Sequence, residues 1–164
     1  MEVAGRPLLS YPMSALAGAC GRVVVVCKAD TELPALPGLE RWDEPAEPRH
    51  PLTGIVHALA EADGPVLVCA ADMPFVTADA CLTLLQAAAA SPAVVAVADG
   101  RLQPTFALYA PAALEPLRAA PPDAPLTDTV EALGPVHVAL PPALVRSVNT
   151  PEDLADAEEL LSRD

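Results

Sequence analysis

Three stretches of this chain are apolar at consecutive positions rather than at alternate ones: the valines of RVVVVCK at 22–28, VLVCA at 66–70 and AVVAVA at 93–98. A strand with apolar side chains on both faces must be covered on both, a demand met by parallel sheets layered between helices. The intervening segments supply those helices. Residues 7–18 place Leu9, Met13, Leu16 and Ala17 on one face. PLTGIVHALAEA does the same with Leu52, Ile55, Val56 and Leu59, and its Pro51 suits a first turn. Thr77 reads as an N-cap, with Asp79 in the first turn and Leu82, Leu85 and Ala89 repeating beneath it. Such alternation predicts an α/β layered sheet, and no internal repeat competes with it.

The rest of the chain is punctuated in the same way. AVVAVA turns at Asp99-Gly100, TFALYA at 105–110 forms a further strand, and Pro111 starts a short helix. Residues 127–133 make one or two helical turns stopped by Gly134-Pro135, and VHVAL at 136–140 and LVRSV at 144–148 are strand candidates. The last helix has the strongest local signals: Thr150 as cap, Pro151 at its first position, and Glu152 and Asp153 near the positive end of the dipole. Residues 2–4 form a short extended piece. Residues 29–50, with Pro34, Pro37, Pro45 and Pro48, are expected to be irregular, and a loop of that length in a compact domain is usually functional or disordered.

The 164 residues suit a single domain with one core, which must be built from Ala, Val and Leu because 52% of the chain is hydrophobic but only 3% aromatic. A formal net charge of −13 argues against a nucleic-acid partner and against an anionic membrane surface. No run approaches a membrane span, and the first residues lack a signal-peptide pattern. Cys20, Cys27, Cys69 and Cys81 have no metal-ligand spacing, so buried free thiols and a cytoplasmic location are expected.

One residue breaks the pattern. The strand at 66–70 runs into Asp72, with Pro74 close behind. Taken alone, that acid reads equally well as a solvated loop residue. In open α/β sheets, however, ligands gather beyond the carboxyl ends of the strands. A carboxylate there can hold a hard cation such as Mg²⁺, which takes one or two acids and completes its shell with substrate phosphates.

HPLTGIVHAL, VLVCAADMPFV, LQPTFALY and VNTPEDLADAE, in that order, resemble the molybdenum cofactor guanylyltransferases, Rossmann-like nucleotidyltransferases that join GMP from GTP to molybdopterin. The resemblance runs from about Gly5 to the C-terminus. It implies a three-layer sandwich with a mostly parallel sheet, and GTP, molybdopterin and Mg²⁺ as ligands. Partner proteins of cofactor synthesis would be its macromolecular contacts. Position by position it makes Asp72 the catalytic metal-binding aspartate, with Asp43 and Gly54 near the nucleotide. Gln103, Pro104 and Asn149 fall on the acceptor side. The residues also allow plainer readings: Asp43 as one acid in an acidic loop, Gly54 as a packing glycine, Asn149 as part of the cap of the last helix, and His50 as a solvated loop residue.

The family also begins with a strand entering a loop of the form LAGGxSxRMGxDK, whose amides and cations hold the triphosphate. This chain has no such segment, and Ser147 stands where the family has an asparagine. The start at MEVAGRPLL is therefore expected to be internal to the ancestral domain. Without a first strand, residues 22–28 must either pair with 66–70 or face them across a seam of unpaired backbone. Two outcomes follow for function: a Mg²⁺-dependent nucleotidyltransferase (of GMP, or with another base or acceptor), or a non-catalytic remnant that binds nucleotide or pterin or serves as a partner subunit.

Overall fold

The computed structural model describes all residues except 89, 122, 123, 163 and 164. The chain opens with a small hairpin, β1 (Glu2–Val3) and β2 (Arg6–Pro7), turned through Ala4 and Gly5 at positive φ. Residues 6 and 7 fold back onto β1, so the first helix, α1, begins only at Ser10 and ends at Ala17. Next come β3 (Val24–Lys28) and β4 (Glu40–Glu44), a parallel pair in register from Val24 opposite Glu40 to Lys28 opposite Glu44.

β4 corrects the expectation of an irregular segment over 29–50. ERWDE carries no apolar alternation because it is an outer strand whose charges are matched one by one. Arg22 grips Glu40, and Arg41 reaches the Lys28, Ala29 and Thr31 carbonyls at 2.8–3.0 Å. His50 is no free loop residue either, for its Nδ1 accepts the Leu52 amide at 3.3 Å and caps α2 (Pro51–Glu61).

β5 (Val66–Cys69) follows, then α3 (Ala78–Gln86), capped as expected by the Thr77 hydroxyl accepting from the Ala80 amide at 3.2 Å. The buried face of α3 is Ala80, Cys81 and Leu84, one step out of phase with the expected one, and Leu82 is exposed. Ala89 lies outside the described residues. The hairpin of β6 (Ala93–Ala98) and β7 (Arg101–Tyr109) turns at Asp99-Gly100, both at positive φ, and this tight connection makes the two strands antiparallel. After a 3₁₀ turn at Pro111–Ala113 come α4 (Leu114–Ala119), α5 (Leu126–Glu131), β8 (Val136–Ala139) and α6 (Pro151–Leu161). The candidate strand at 144–148 is not one. Pro141 and Pro142 offer no amide to a ladder, and the segment enters a 3₁₀ turn over Pro142–Val145.

The larger sheet has the order β5-β7-β6-β8 and is mixed: β8 lies parallel to β6, and β7 antiparallel to both of its neighbours. β6 explains the layers. Val94, Ala96 and Ala98 pack with α1 and α3 through Ala15, Cys81 and Leu84; Ala93 and Val95 pack the other way with Ile55, Leu59, Leu117 and Val130. This is the expected three-layer α/β sandwich. A satellite cluster of Val3, Leu8, Val148 and Ala157 ties the first hairpin to α6. Among the described residues no helix is long and apolar enough to cross a membrane.

Of the two alternatives for 22–28 and 66–70, pairing or a seam, the structure shows the seam. Among the described residues β3 pairs with β4 alone, β5 with β7 alone, and the two pairs belong to separate sheets. Their burial reflects this: every residue of β5 and the first four of β3 are only partly buried, although all but Lys28 are apolar.

The start of α6 carries a full capping box. The Thr150 hydroxyl accepts the Asp153 amide at 3.1 Å, and the Asp153 carboxylate accepts the Thr150 amide at 2.9 Å and the Asn149 amide at 3.1 Å. Thr150→Ala should cost about 1 kcal/mol in urea unfolding, with an unchanged denaturant slope.

Candidate functional site

The space between the two strand pairs is a cavity of about 750 Å³. Val24, Val25 and Val26 form one wall, and Val66, Leu67 and Val68 the other. Leu9, just before α1, and Met13 and Leu16 of α1 line it, as do Ile55 and Ala58 of α2. The helical face read from residues 7–18 is therefore real but lies over a void, apart from Ala17, which is exposed.

The chemistry gathers where β4 and β5 end. Val66 to Cys69 are held by pairing with Tyr109 to Phe106 of β7, and the Ala70 amide continues the ladder to the Thr105 carbonyl at 2.9 Å. The β6–β7 register breaks after Val95, and the extra residues of β7 include Pro104, which has no amide to lose. The break brings Thr105 into the cavity wall beside Asp72. On the other side Ser147 joins them, because the Val148 amide donates to the Asp72 carbonyl at 2.8 Å.

Asp72 itself is anchored by backbone and open at its side chain. Its Oδ1 is buried and has no hydrogen-bond partner, and its carboxyl pKa is raised, chiefly by burial, with a smaller opposing effect of its own backbone hydrogen bond. A buried carboxylate oxygen with no donor is costly unless something neutralises it. Among the described residues no group of three His, Cys, Asp or Glu could enclose a metal ion. A lone carboxylate could hold only a cation that brings most of its shell from elsewhere, as phosphate oxygens and water.

A second orphaned oxygen, Glu44 Oε2, sits in the same cavity. The other oxygen of Glu44 lies 3.5 Å from Lys28 Nζ, and that buried ammonium also donates to the Pro48 carbonyl at 3.1 Å and the Pro45 carbonyl at 2.5 Å. Gly54 makes room for this carboxylate, since a Cβ there would lie 3.1 Å from Oε2. The glycine matters here for close approach, with no need for unusual dihedrals.

Of the residues singled out in the sequence, Asp72 and Gly54 thus share one cavity. Asp43 does not join them. Strand alternation turns Trp42 and Glu44 to the cavity, and the Asp43 carboxylate accepts from Arg41 at 2.6 Å. Gln103, Pro104 and Asn149 are outside the wall as well, each adjacent in sequence to the wall residues or one removed: Thr105 and Ser147. The Pro104 carbonyl accepts the buried Tyr109 hydroxyl at 2.6 Å, while Asn149 is exposed. Glu44 and Thr105 escaped the sequence reading, and Ser147 entered it only as a departure from the family's asparagine. Nothing in a lone glutamate, threonine or serine marks it without the register that brings it inward.

The thiols offer no nucleophile. Burial, and to a lesser extent the nearby Cys81 and Asp72, push Cys69 up to about 12, and burial pushes Cys81 up to about 11, so both are protonated at neutral pH. All four cysteines are free.

Comparison with known proteins gives the following. Residues 1–137 match the family model of the MobA-like NTP transferase domain. No curated protein matches the chain. Among solved structures, it is similar to molybdopterin-guanine dinucleotide biosynthesis protein A from Archaeoglobus fulgidus, at 22% identity and a TM-score of 0.76 over 100% of this chain and 90% of that one. It is equally similar to 2-C-methyl-D-erythritol 4-phosphate cytidylyltransferase from Thermus thermophilus, at 24% identity and a TM-score of 0.75 over 98% and 92%. The 4-diphosphocytidyl-2C-methyl-D-erythritol synthase of Anaerococcus prevotii follows at 15% identity and 0.76 over 99% and 92%. At these identities the structures share a fold with this chain.

The Lys28–Glu44 pair is the charged contact most protected from solvent, so breaking it should be expensive. Lys28→Met should destabilise the protein by roughly 3 kcal/mol in chemical unfolding, and adding Glu44→Gln should recover a large part of the loss. A double variant destabilised by the sum of the two single losses would show that the pair carries no coupling.

Proposed function

This chain belongs to the MobA-like NTP transferase domain family, and from that membership we propose that its cavity serves Mg²⁺-dependent transfer of GMP from GTP to molybdopterin. The observation that carries the proposal is the unpartnered, buried Oδ1 of Asp72 at the carboxyl end of β5. Asp72 would hold the Mg²⁺, which supplies charge neutralisation for the phosphates when bound. The acceptor phosphate attacks the α-phosphorus in line and pyrophosphate leaves, so the protein's task is positioning and electrostatics. Thr105 and Ser147 would contribute hydroxyl donors in the same cavity as Asp72, and Gly54, which makes room for the Glu44 carboxylate, is proposed to border the nucleotide. Gln103, Pro104 and Asn149 lie next to those donors in the chain and are proposed to shape the acceptor side. Asp43 is proposed to act on the nucleotide only from outside the wall, where its pairing with Arg41 leaves it.

Charge sets the limit on this activity. Among the described residues Arg22 is the only basic side chain in the cavity wall, and it is bound to Glu40 at the end away from Asp72. That scarcity supports the second reading, a non-catalytic module that binds nucleotide or pterin or acts as a partner subunit. The 164-residue chain should bind Mg·GTP weakly, with a dissociation constant above roughly 100 μM, and turn over slowly. Micromolar affinity by calorimetry would contradict this. Pyrophosphate release with GTP and molybdopterin separates the enzyme from the binder, and release with CTP in place of GTP would reassign the base.

Asp72→Asn should lower whatever turnover is measured by about a hundredfold or more while the fold persists. Stability gives an independent check. Burial raises the Asp72 carboxyl pKa in the folded state above its unfolded value. Its protonated form is therefore the better tolerated one, and the stability present at low pH is lost as pH rises through the folded value. The asparagine variant should melt higher than the parent at neutral pH, with the difference fading as the pH falls towards the ordinary aspartate range. A parent that melts higher at pH 7 would show that the carboxylate has a stabilising partner.

A further inference from the structure

Glu44 carries a buried carboxylate oxygen that the proposed transfer leaves without a task. We propose that Glu44 Oε2 reads the base of the nucleotide, accepting hydrogen bonds from the N1–H and 2-amino edge of guanine, and so sets the base preference of this cavity. The inference rests on the nucleotide-transfer reading above and deepens it by naming a specificity residue.

Three observations carry it. The first is the acceptor itself. Among the described residues Oε2 is buried without a donor, and Glu44 lines the same cavity as Asp72. Such an oxygen is costly unless a bound group donates to it. The second is that the carboxylate is held in one orientation. Lys28 Nζ stands 3.5 Å from Oε1 and is fixed in turn by the Pro45 and Pro48 carbonyls at 2.5 and 3.1 Å, so Oε1 is engaged and Oε2 is the oxygen left for a ligand. Gly54 leaves it room, since a Cβ there would lie 3.1 Å away. The third is position. Glu44 is in register with Lys28 at the end of the β3 wall, and Asp72 follows β5 in the opposite wall. A nucleotide with its phosphates at Asp72 therefore has its base to offer to the Glu44 side.

What such an acceptor selects follows from the chemistry of the bases. Guanine presents two adjacent donors to a carboxylate. Adenine and cytosine each set a ring-nitrogen lone pair beside the amino group and bring it against the anion. Hypoxanthine lacks the 2-amino donor, and xanthine has a carbonyl in its place. A site built to accept a hydrogen bond rejects an analogue without the donor, because its own buried group is left unpaired. The pterin ring of the proposed acceptor shares the amino-oxo edge of guanine, so the test must separate the two.

The whole chain, without Mg²⁺ or acceptor, is titrated with the 5′-monophosphates of guanosine, inosine and xanthosine, and binding is read from the NMR shifts of the Glu44 and Gly54 amides. The guanosine nucleotide should bind about tenfold or more tightly than the other two. In Glu44→Gln, Lys28 holds the amide oxygen and turns the amino group to the cavity, where it donates. The preference between the guanosine and xanthosine nucleotides should then reverse, the ratio changing by roughly tenfold or more. Lys28→Met with Glu44→Gln frees the amide to turn either way and should bind the two equally, which keeps the test open if the single variant unfolds. A Glu44 that is merely structural would weaken all three nucleotides alike, and that result overturns the proposal. So does a parent chain that binds the guanosine nucleotide no better than the xanthosine one. Shifts of the Glu44 amide with 6-methylpterin and none with the guanosine nucleotide overturn it as well, by giving this oxygen to the acceptor. With metal and acceptor both left out, failure here leaves the role of Asp72 and the transfer reading standing, and a lack of pyrophosphate release would leave the base preference measurable.

Discussion

Two strands that are apolar on both faces stand opposite each other and do not pair, and most of what is distinctive about this molecule follows from that gap. β3 and β5 are each half of a ladder. What keeps them at a fixed separation is α2, whose Leu52, Ile55 and Leu59 belong to the main core while its Gly54 and Ala58 look onto the cavity. The helix spans the gap because β4–α2–β5 is a continuous crossover, capped at its start by His50. The gap is thus part of the architecture, and the open edges, the exposed aliphatic lining and the polar end at Asp72 are consequences of it.

The electrostatics follow the same geometry. Acids outnumber bases 22 to 9, and most of the basic residues are spent on local pairing: Arg22 with Glu40, Lys28 with Glu44, Arg41 with Asp43, Arg49 with Asp30, Arg118 with Glu115, and Arg146 with Asp156. The exposed pairs among them contribute little to stability. Their effect at the site is larger, because none of these cations is left to face Asp72. A buried anion without a donor is tolerable in a protein when a ligand supplies the positive charge, and it is a stability cost in the meantime. Asp72 is therefore unfavourable for the folded state on its own, and the proposed cation would offset that cost.

Much of this was legible in the sequence, and the misses have physical causes. The α/β layering could be read because it depends on runs of Val, Leu and Ala whose periodicity survives without any tertiary information. Asp72 could be read because a carboxylate directly after an apolar strand is out of place locally. β4 was not readable, since ERWDE owes its strand conformation to pairing with β3 and to Arg41 reaching three carbonyls, contacts made far along the chain. The strand expected at 144–148 failed for the opposite reason: Val145 and Val148 are apolar and buried, but as anchors beneath Asp72 and α6, outside any ladder. Asp43 and Glu44 illustrate the limit for the site. Adjacent acids on one strand have opposite environments, and only the pairing register decides which of them faces the cavity.

That register also links the site to the gap. Glu44 enters the cavity because β4 is aligned with β3, and Asp72 does so because β5 is aligned with β7. The two carboxylates are thus carried by two different sheets, with α2, α1 and the loop joined to the Val148 amide packed between or beside them. Anything that bridges β3 and β5 would therefore fix the distance between the acids as well as the strands.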